Sequence, residues 1–322
     1  MRAPEFWING GPLSVGLAPL GWLWAAGSAL RGALTTPYQA PIPVVCIGNL
    51  VAGGAGKTPV ARSVASRLPG AHFLSLGYGG SEQGPLLVNP NKHQPDRVGD
   101  EALLLAEVAP CWVAKDRAAG AREAARHGAA CLVMDDGFQN PSLHKDVSLL
   151  VVDGHTGFGA GRCIPAGPLR EPVPRGLRRA TALVILGEDR RNLARLAGEV
   201  PVLRARLEPE AEALGLAGQN VVAFAGIGRP AKFFHSLEKL GANLVEAYAF
   251  PDHYPYRPAE ITELLATAEK HAAALITTTK DFVRIPAHLR DQVAVLRITV
   301  TWDDEAELMR VLAPAIGELA LP

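Results

Sequence analysis

The run IGNLVAGGAGKTP at 47–59 carries the clearest chemical signal in this chain. Gly53, Gly54 and Gly56, with Ala55 between them, let the backbone approach a phosphate and aim its N–H groups at it. Lys57 would reach the β- and γ-phosphates of a nucleotide, and the Thr58 hydroxyl would hold Mg2+. The run follows an apolar stretch and opens a helical pattern, the context a phosphate loop requires. It departs from the usual spacing, which places glycine where this chain has Val51, and a plain Gly-rich strand-to-helix turn is the blander reading. A second half-site is CLVMDD at 131–136, an apolar strand ending in Asp135 and Asp136. Such a strand presents an acid to Mg2+. Adjacent residues on an extended strand point to opposite faces, so only one of the two should meet the metal directly.

Other polar residues are ambiguous by type alone. Asp100 and Glu101 in VGDE suit a helix N-terminus simply as cap and dipole partners. His253, in the proline-bracketed FPDHYPY, reads as a surface turn residue. Arg162, Arg170, Arg175, Arg178 and Arg179 cluster with only Glu171 to oppose them. They form either a solvated loop or a basic rim for phosphates and anionic head groups, each contact worth about 1 kcal/mol. Arg117 is a candidate for the same rim.

The elements that must position these groups follow from periodicity. Apolar runs at 43–48, 72–76, 111–114, 131–136, 147–154 and 182–187 read as strands. Helical patterns at 57–68, 99–108 and 116–127 alternate with them. This predicts an α/β fold, P-loop NTPase-like, with a mostly parallel sheet covered by helices on both faces. A second, smaller α/β unit starts near 219, with strands at 220–228, 244–250 and 274–278 and helices at 230–240 and 258–271. The runs 200–209 and 292–302 should pair as a two-stranded linker, and a last helix at 304–319 should return to the first unit. The expected organisation is an apolar segment at 1–40, a P-loop domain at 41–199, a connection at 200–218, a smaller domain at 219–291, and a return strand and helix at 292–322.

Between Glu5 and Arg31 there is no charged residue. A cleaved signal peptide, a buried helical hairpin and a membrane-seated helical anchor all fit that composition. A nucleotide loop so soon afterwards favours an uncleaved anchor, because ATP is a cytoplasmic ligand. Trp7, Trp22 and Trp24 suit a membrane interface. Hydrophobic residues make up 48% of the chain, enough to build a core. Lys+Arg and Asp+Glu balance at 32 each, which excludes a global field for nucleic acid, and no obligate protein partner is indicated. Cys46, Cys111, Cys131 and Cys163 have no metal or disulfide spacing and read as reduced buried thiols.

Taken together, the blocks PVVCIGNLVAGGAGKTPVA, SLGYGG, VGDEALLLA, DDGFQN, GFGAGRCIPAGPLREP, FAGIGRPAKFF, FPDHYPY and TTTKDFVRI make the chain resemble the tetraacyldisaccharide 4′-kinases of Gram-negative bacteria. The likeness spans most of the chain. It implies transfer of the ATP γ-phosphoryl group to the 4′-hydroxyl of an acylated disaccharide lipid. It also implies work among the lipids of the inner membrane, at its cytoplasmic face. By the same likeness Asp100 is the base for that hydroxyl, His253 its partner, and Glu101 a Mg2+ candidate. Tyr78, Arg117, Gln139, Arg170 and Glu171 are the implied substrate contacts, Glu171 also approaching the metal. Leu76 and Asn140 stand where the family usually has Arg and His. Two other readings remain at this point: a P-loop kinase or ligase on a soluble small molecule, and a membrane-associated ATPase switch.

Overall fold

A computed structural model describes residues 4–210 and 215–316. In chain order its strands are β1 (Val44–Gly48), β2 (Ala71–Ser75), β3 (Leu86–Leu87), β4 (Cys111–Val113), β5 (Cys131–Asp135), β6 (Val147–Asp153), β7 (Ala182–Leu186) and β8 (Val202–Pro209). They continue with β9 (Asn220–Ala225), β10 (Asn243–Ala249), β11 (Ala274–Thr278), β12 (Ala294–Leu296) and β13 (Ile298–Trp302). A nine-stranded sheet has the order β13-β8-β7-β6-β1-β5-β2-β4-β3. It is parallel from β8 to β4, and the edge strands β13 and β3 run antiparallel.

The central strands are buried on both faces, which is why β1, β5 and β7 read as unbroken apolar runs rather than alternating ones. Val45 and Ile47 face one core layer with Val60 and Val64 of helix Lys57–Ala65 and Leu308 and Leu312 of helix Glu305–Ile316. Val44 and Cys46 face the other, with Ala121 and Ala124 of helix Arg117–Arg126, Phe138 and Leu177. The smaller sheet, β10-β9-β11-β12, is wholly parallel. Helix Pro230–Lys239 covers one face through Phe233 and Leu237, and helix Pro258–Lys270 the other through Ile261 and Leu264.

The expected linker is corrected in one respect. β8 and β13 do pair, with Val300 opposite Leu207, but β8 also continues the large sheet beside β7. The run 292–302 is divided: β12 belongs to the small sheet and β13 to the large one, with Arg297 between them. The chain therefore passes between the sheets within one residue, which ties them closely. Part of the expected connection, 211–214, and the end of the expected last helix, 317–319, lie outside the described residues, as do 1–3 and 320–322.

The N-terminal segment forms helices Glu5–Asn9, Pro12–Gly16 and Ala18–Leu34, broken at Gly10 and Leu17. Among the described residues no helix is long and apolar enough to cross a membrane.

Candidate active site

β1 ends at the phosphate loop, and Gly56 closes it as the N-cap of helix Lys57–Ala65 with φ +79. That left-handed backbone suits glycine, and a Cβ there would meet the Leu186 side chain at 2.5 Å. Lys57 Nζ donates to Asn49 Oδ1 at 3.3 Å and lies 3.6 Å from Asp136. The Thr58 hydroxyl donates to Asp135 Oδ2 at 3.2 Å. Asp135 is the last residue of β5, beside Ile47 of β1, so sheet register alone delivers it to the loop.

Both acids reach the loop. Asp136 has left the strand, with φ +53, so the opposite-faces rule for extended residues does not govern it. Burial, reinforced by Glu101, pushes the Asp135 carboxyl up to about 7. Its Oδ1 is buried without a hydrogen-bond partner. An orphan oxygen beside a threonine hydroxyl is a donor set that suits Mg2+. Among the described residues no group of three or more His, Cys, Asp or Glu could hold a metal alone. Mg2+ ordinarily completes its shell with phosphates and water, so two protein oxygens suffice.

Arg170 binds Asp136 through both terminal nitrogens, at 2.8 and 3.2 Å. Gln139 donates to the Asn49 carbonyl at 2.9 Å and to Glu171 at 3.1 Å. Glu171 is buried and also paired with Arg179 and Arg175. Most of the arginine cluster is therefore paired inside the protein, which departs from both the solvated loop and the free basic rim that the sequence allowed. Arg178 alone of the five is exposed without an ion pair among the described residues. Arg170, Arg175 and Arg179 are paired with acids, and Arg162 donates to Ser14. Glu171 serves this bracing: its Oε1 accepts from both Gln139 and Arg179, and its Oε2 lies 3.8 Å from Arg175. Arg117 is also corrected. It is 2% exposed, donates to the Ala114 carbonyl at 3.3 Å and leaves Nε unpartnered, so it is not part of a surface rim.

The second cluster lies between the domains. Asp100 opens helix Asp100–Ala106 and is buried. His253, in the loop after β10 and held at φ +60, places Nδ1 2.8 Å from Asp100 Oδ2. Arg284 reaches the same oxygen with Nε at 2.9 Å and Nη2 at 2.5 Å. Burial opposes the Asp100 charge, but His253 and Arg284 outweigh it and hold the carboxyl below its usual range. The hydrogen bond to Asp100 raises the His253 imidazole, against burial and Arg284. Glu101 is bound by Lys280 of the smaller domain at 2.7 Å. Tyr78 is exposed, its ring 6.1 Å from that of His253. Leu76 is exposed nearby in sequence, and Asn140 is spent on a turn, accepting from Ser142 N and Oγ.

Asn49, Lys280 and Arg284 were not singled out by the sequence. Asn49 and the two cations sit inside quoted motifs, but only the fold shows that the cations cross 179 and 184 residues to find consecutive acids.

The sequence model of the tetraacyldisaccharide-1-P 4′-kinase family matches residues 13–317. A tetraacyldisaccharide 4′-kinase of Rhodospirillum centenum is 54% identical, covering 98% of this chain and 97% of the relative. One from Paramagnetospirillum magneticum is 54% identical over 94% and 95% of the two chains. The crystal structure of LpxK from Aquifex aeolicus in complex with ATP superposes with a TM-score of 0.79 at 27% identity, covering 95% of this chain and all of that one. On these grounds the chain belongs to the tetraacyldisaccharide-1-P 4′-kinase family.

Proposed function

We propose that this chain transfers the γ-phosphoryl group of ATP to the 4′-hydroxyl of a tetraacyldisaccharide 1-phosphate, a lipid A precursor, at the cytoplasmic face of the inner membrane. The observation that carries the reaction is the Asp100–His253 contact, made between domains beside a phosphate loop with its own pair of acids. The relatives' names supply the acceptor.

Lys57 and the loop N–H groups hold the phosphates. Thr58 and Asp135 are the residues that would hold Mg2+, which supplies charge neutralisation on the phosphates when bound. The acceptor oxygen forms a bond to the γ-phosphorus as the bond to the β–γ bridging oxygen breaks, and ADP leaves. The hydroxyl proton needs a base. The family resemblance assigned that role to Asp100, and the geometry favours the reverse. Asp100 is buried and accepts three hydrogen bonds on one oxygen, which makes it a weak base. His253 has 44% of its side chain exposed, a raised proton affinity, and an Nε2 that faces Asp252 Oδ1 at 3.9 Å while Nδ1 holds Asp100. We therefore read His253 Nε2 as the proton acceptor, with Asp100 fixing its tautomer and orientation. Glu101 is paired with Lys280 of the smaller domain and stands close enough to Asp135 to raise its carboxyl, so it ties that domain to the metal acids.

Support for the membrane location comes from helix Ala18–Leu34. Its inward positions are small: Gly21 is buried and Ala25, Ser28, Ala29 and Gly32 are half-buried. Leu20, Trp22, Leu23, Trp24, Leu30 and Leu34 are exposed. A helix that packs its small residues and presents its large apolar ones suits a lipid surface.

The test is incubation of the full chain with γ-labelled ATP, Mg2+ and the tetraacyldisaccharide 1-phosphate in detergent micelles. Label at the 4′-position is the expected result. Label only in soluble acceptors, or ATP hydrolysis indifferent to the lipid, would overturn the proposal.

A further inference from the structure

We propose that Arg284 is a positioning residue for phosphoryl transfer, a clamp that fixes Asp100 so that His253 alone receives the acceptor's proton. The inference rests on the reading of His253 as proton acceptor given above.

Three donors converge on Asp100 Oδ2: Arg284 Nε, Arg284 Nη2 and His253 Nδ1. Asp100 Oδ1 has no hydrogen bond among the described residues, so the carboxylate is held by one oxygen only. A single imidazole contact leaves Oδ2 free to swing about the Cα–Cβ bond. Two nitrogens of a planar guanidinium converging on the same oxygen add two further directions and fix its position. Arg284 is itself built in from beneath. Its Nη1 donates to the Gly226 carbonyl at 2.9 Å and to Asp281 Oδ1 at 3.2 Å. Asp281 is fully buried and accepts from Gly226 N and Tyr256 OH, both at 2.9 Å, and from Thr278 Oγ1 at 2.6 Å. Every one of these partners belongs to the smaller domain. The guanidinium is thus aimed before Asp100 reaches it, and Asp100 enters a socket made of Arg284 and His253.

Two consequences follow for the transfer. An anion gripped by Arg284 is a poorer base than the imidazole, so the hydroxyl proton stays on His253. An oxygen fixed 2.8 Å from Nδ1 keeps the proton of neutral His253 on that nitrogen, which leaves the lone pair on Nε2 for the acceptor. Arg284 Nη2 also lies 3.3 Å from Nδ1, so the guanidinium borders both partners of the pair.

The test uses Arg284→Gln, Arg284→Lys, Asp100→Asn, His253→Gln and the Asp100→Asn/Arg284→Gln pair in the full chain, with folded fraction measured by titration of the ATP site. Per folded enzyme, Arg284→Gln should lose about a hundredfold in kcat with the KM for ATP held within about threefold. Arg284→Lys, which restores the charge but not the fork, should recover part of the loss. The double variant should be no worse than Asp100→Asn alone, because Arg284 acts through that carboxylate. Should Arg284→Gln fail to fold, the Lys variant carries the same kcat and KM comparison. A kcat near the parent's in a folded Arg284 variant, or losses that multiply with those of Asp100→Asn, would overturn the clamp. Full activity in His253→Gln would overturn the proton-acceptor reading itself. Loss in His253→Gln without loss in Arg284→Gln would remove the clamp alone.

Discussion

Asp135 and Asp136 show how much one backbone angle decides. Asp135 ends its strand in register with β1 and meets Thr58, while Asp136 turns at φ +53 to face Lys57 and Arg170. Lys57 is left with 11% of its side chain exposed, aimed between Asn49 and Asp136. Its ammonium would act on phosphates in a site with little water, so Lys57→Ala should cost about a hundredfold or more in kcat at saturating ATP, roughly 3 kcal/mol. A variant within about threefold of the parent would remove Lys57 from phosphoryl transfer. A second expectation concerns pH. His253 must be neutral to accept a proton, and Asp100 raises its proton affinity. The acid limb of kcat/KM should therefore lie above the ordinary histidine value of about 6.5. Asp100→Asn removes the partner that favours imidazolium, so the limb should move to lower pH while the plateau falls. A limb that stayed put, or moved up, would separate His253 from it. At this scale the phosphate-loop residues were legible because glycine spacing, a lysine and strand-end acids have a fixed local meaning. The burial of Arg117 and the pairing of the arginines were not, because a charge reads as exposed until its partners are known.

Among the elements, the helix Lys57–Ala65 depends on its first turn. Gly56 holds a left-handed conformation that L side chains enter at a cost of about 1–2 kcal/mol, and its position against Leu186 adds a steric contact. Gly56→Ala should therefore tilt the loop N–H groups and raise the KM for ATP about tenfold, with a smaller loss of melting temperature. Unchanged ATP affinity, measured by equilibrium binding, would mean that this glycine only turns the chain. The parallel order of the large sheet was readable from strand and helix alternation, since buried strands and amphipathic helices announce themselves locally. The division of 292–302 between two sheets was not. Val295 and Leu296 before Arg297, and Ile298 and Val300 after it, form one continuous strand-like pattern, and only the pairing of β12 with β11 and β13 with β8 separates them.

For the whole molecule, the N-terminal helices are the surface by which the proposed membrane contact would be made, and they are wired into the catalytic domain. Trp7 Nε1 donates to the Pro165 carbonyl at 3.0 Å, Ser14 Oγ to Ala166 at 2.6 Å and Trp24 Nε1 to Arg170 at 2.9 Å. Arg170 in turn grips Asp136 beside Lys57. Deleting residues 1–31 would therefore disturb the nucleotide site as well as any anchor, and surface substitution is the cleaner probe. Trp22, Leu23 and Leu30 are 71%, 70% and 60% exposed and hold nothing together inside the protein. Each large apolar side chain buried in lipid contributes up to about 1.5–3 kcal/mol. Replacing all three by Glu should lower partitioning onto phospholipid vesicles by more than about a hundredfold while ATP binding is unchanged. Because Arg170, Arg175 and Arg179 are already paired with acids, binding of the parent should depend little on ionic strength or on anionic lipid. Vesicle flotation at low and high salt reads both quantities. Full binding by the triple variant, abolished by salt, would shift the lipid contact from this apolar face to exposed cations such as Arg178, and the membrane orientation proposed here would be wrong.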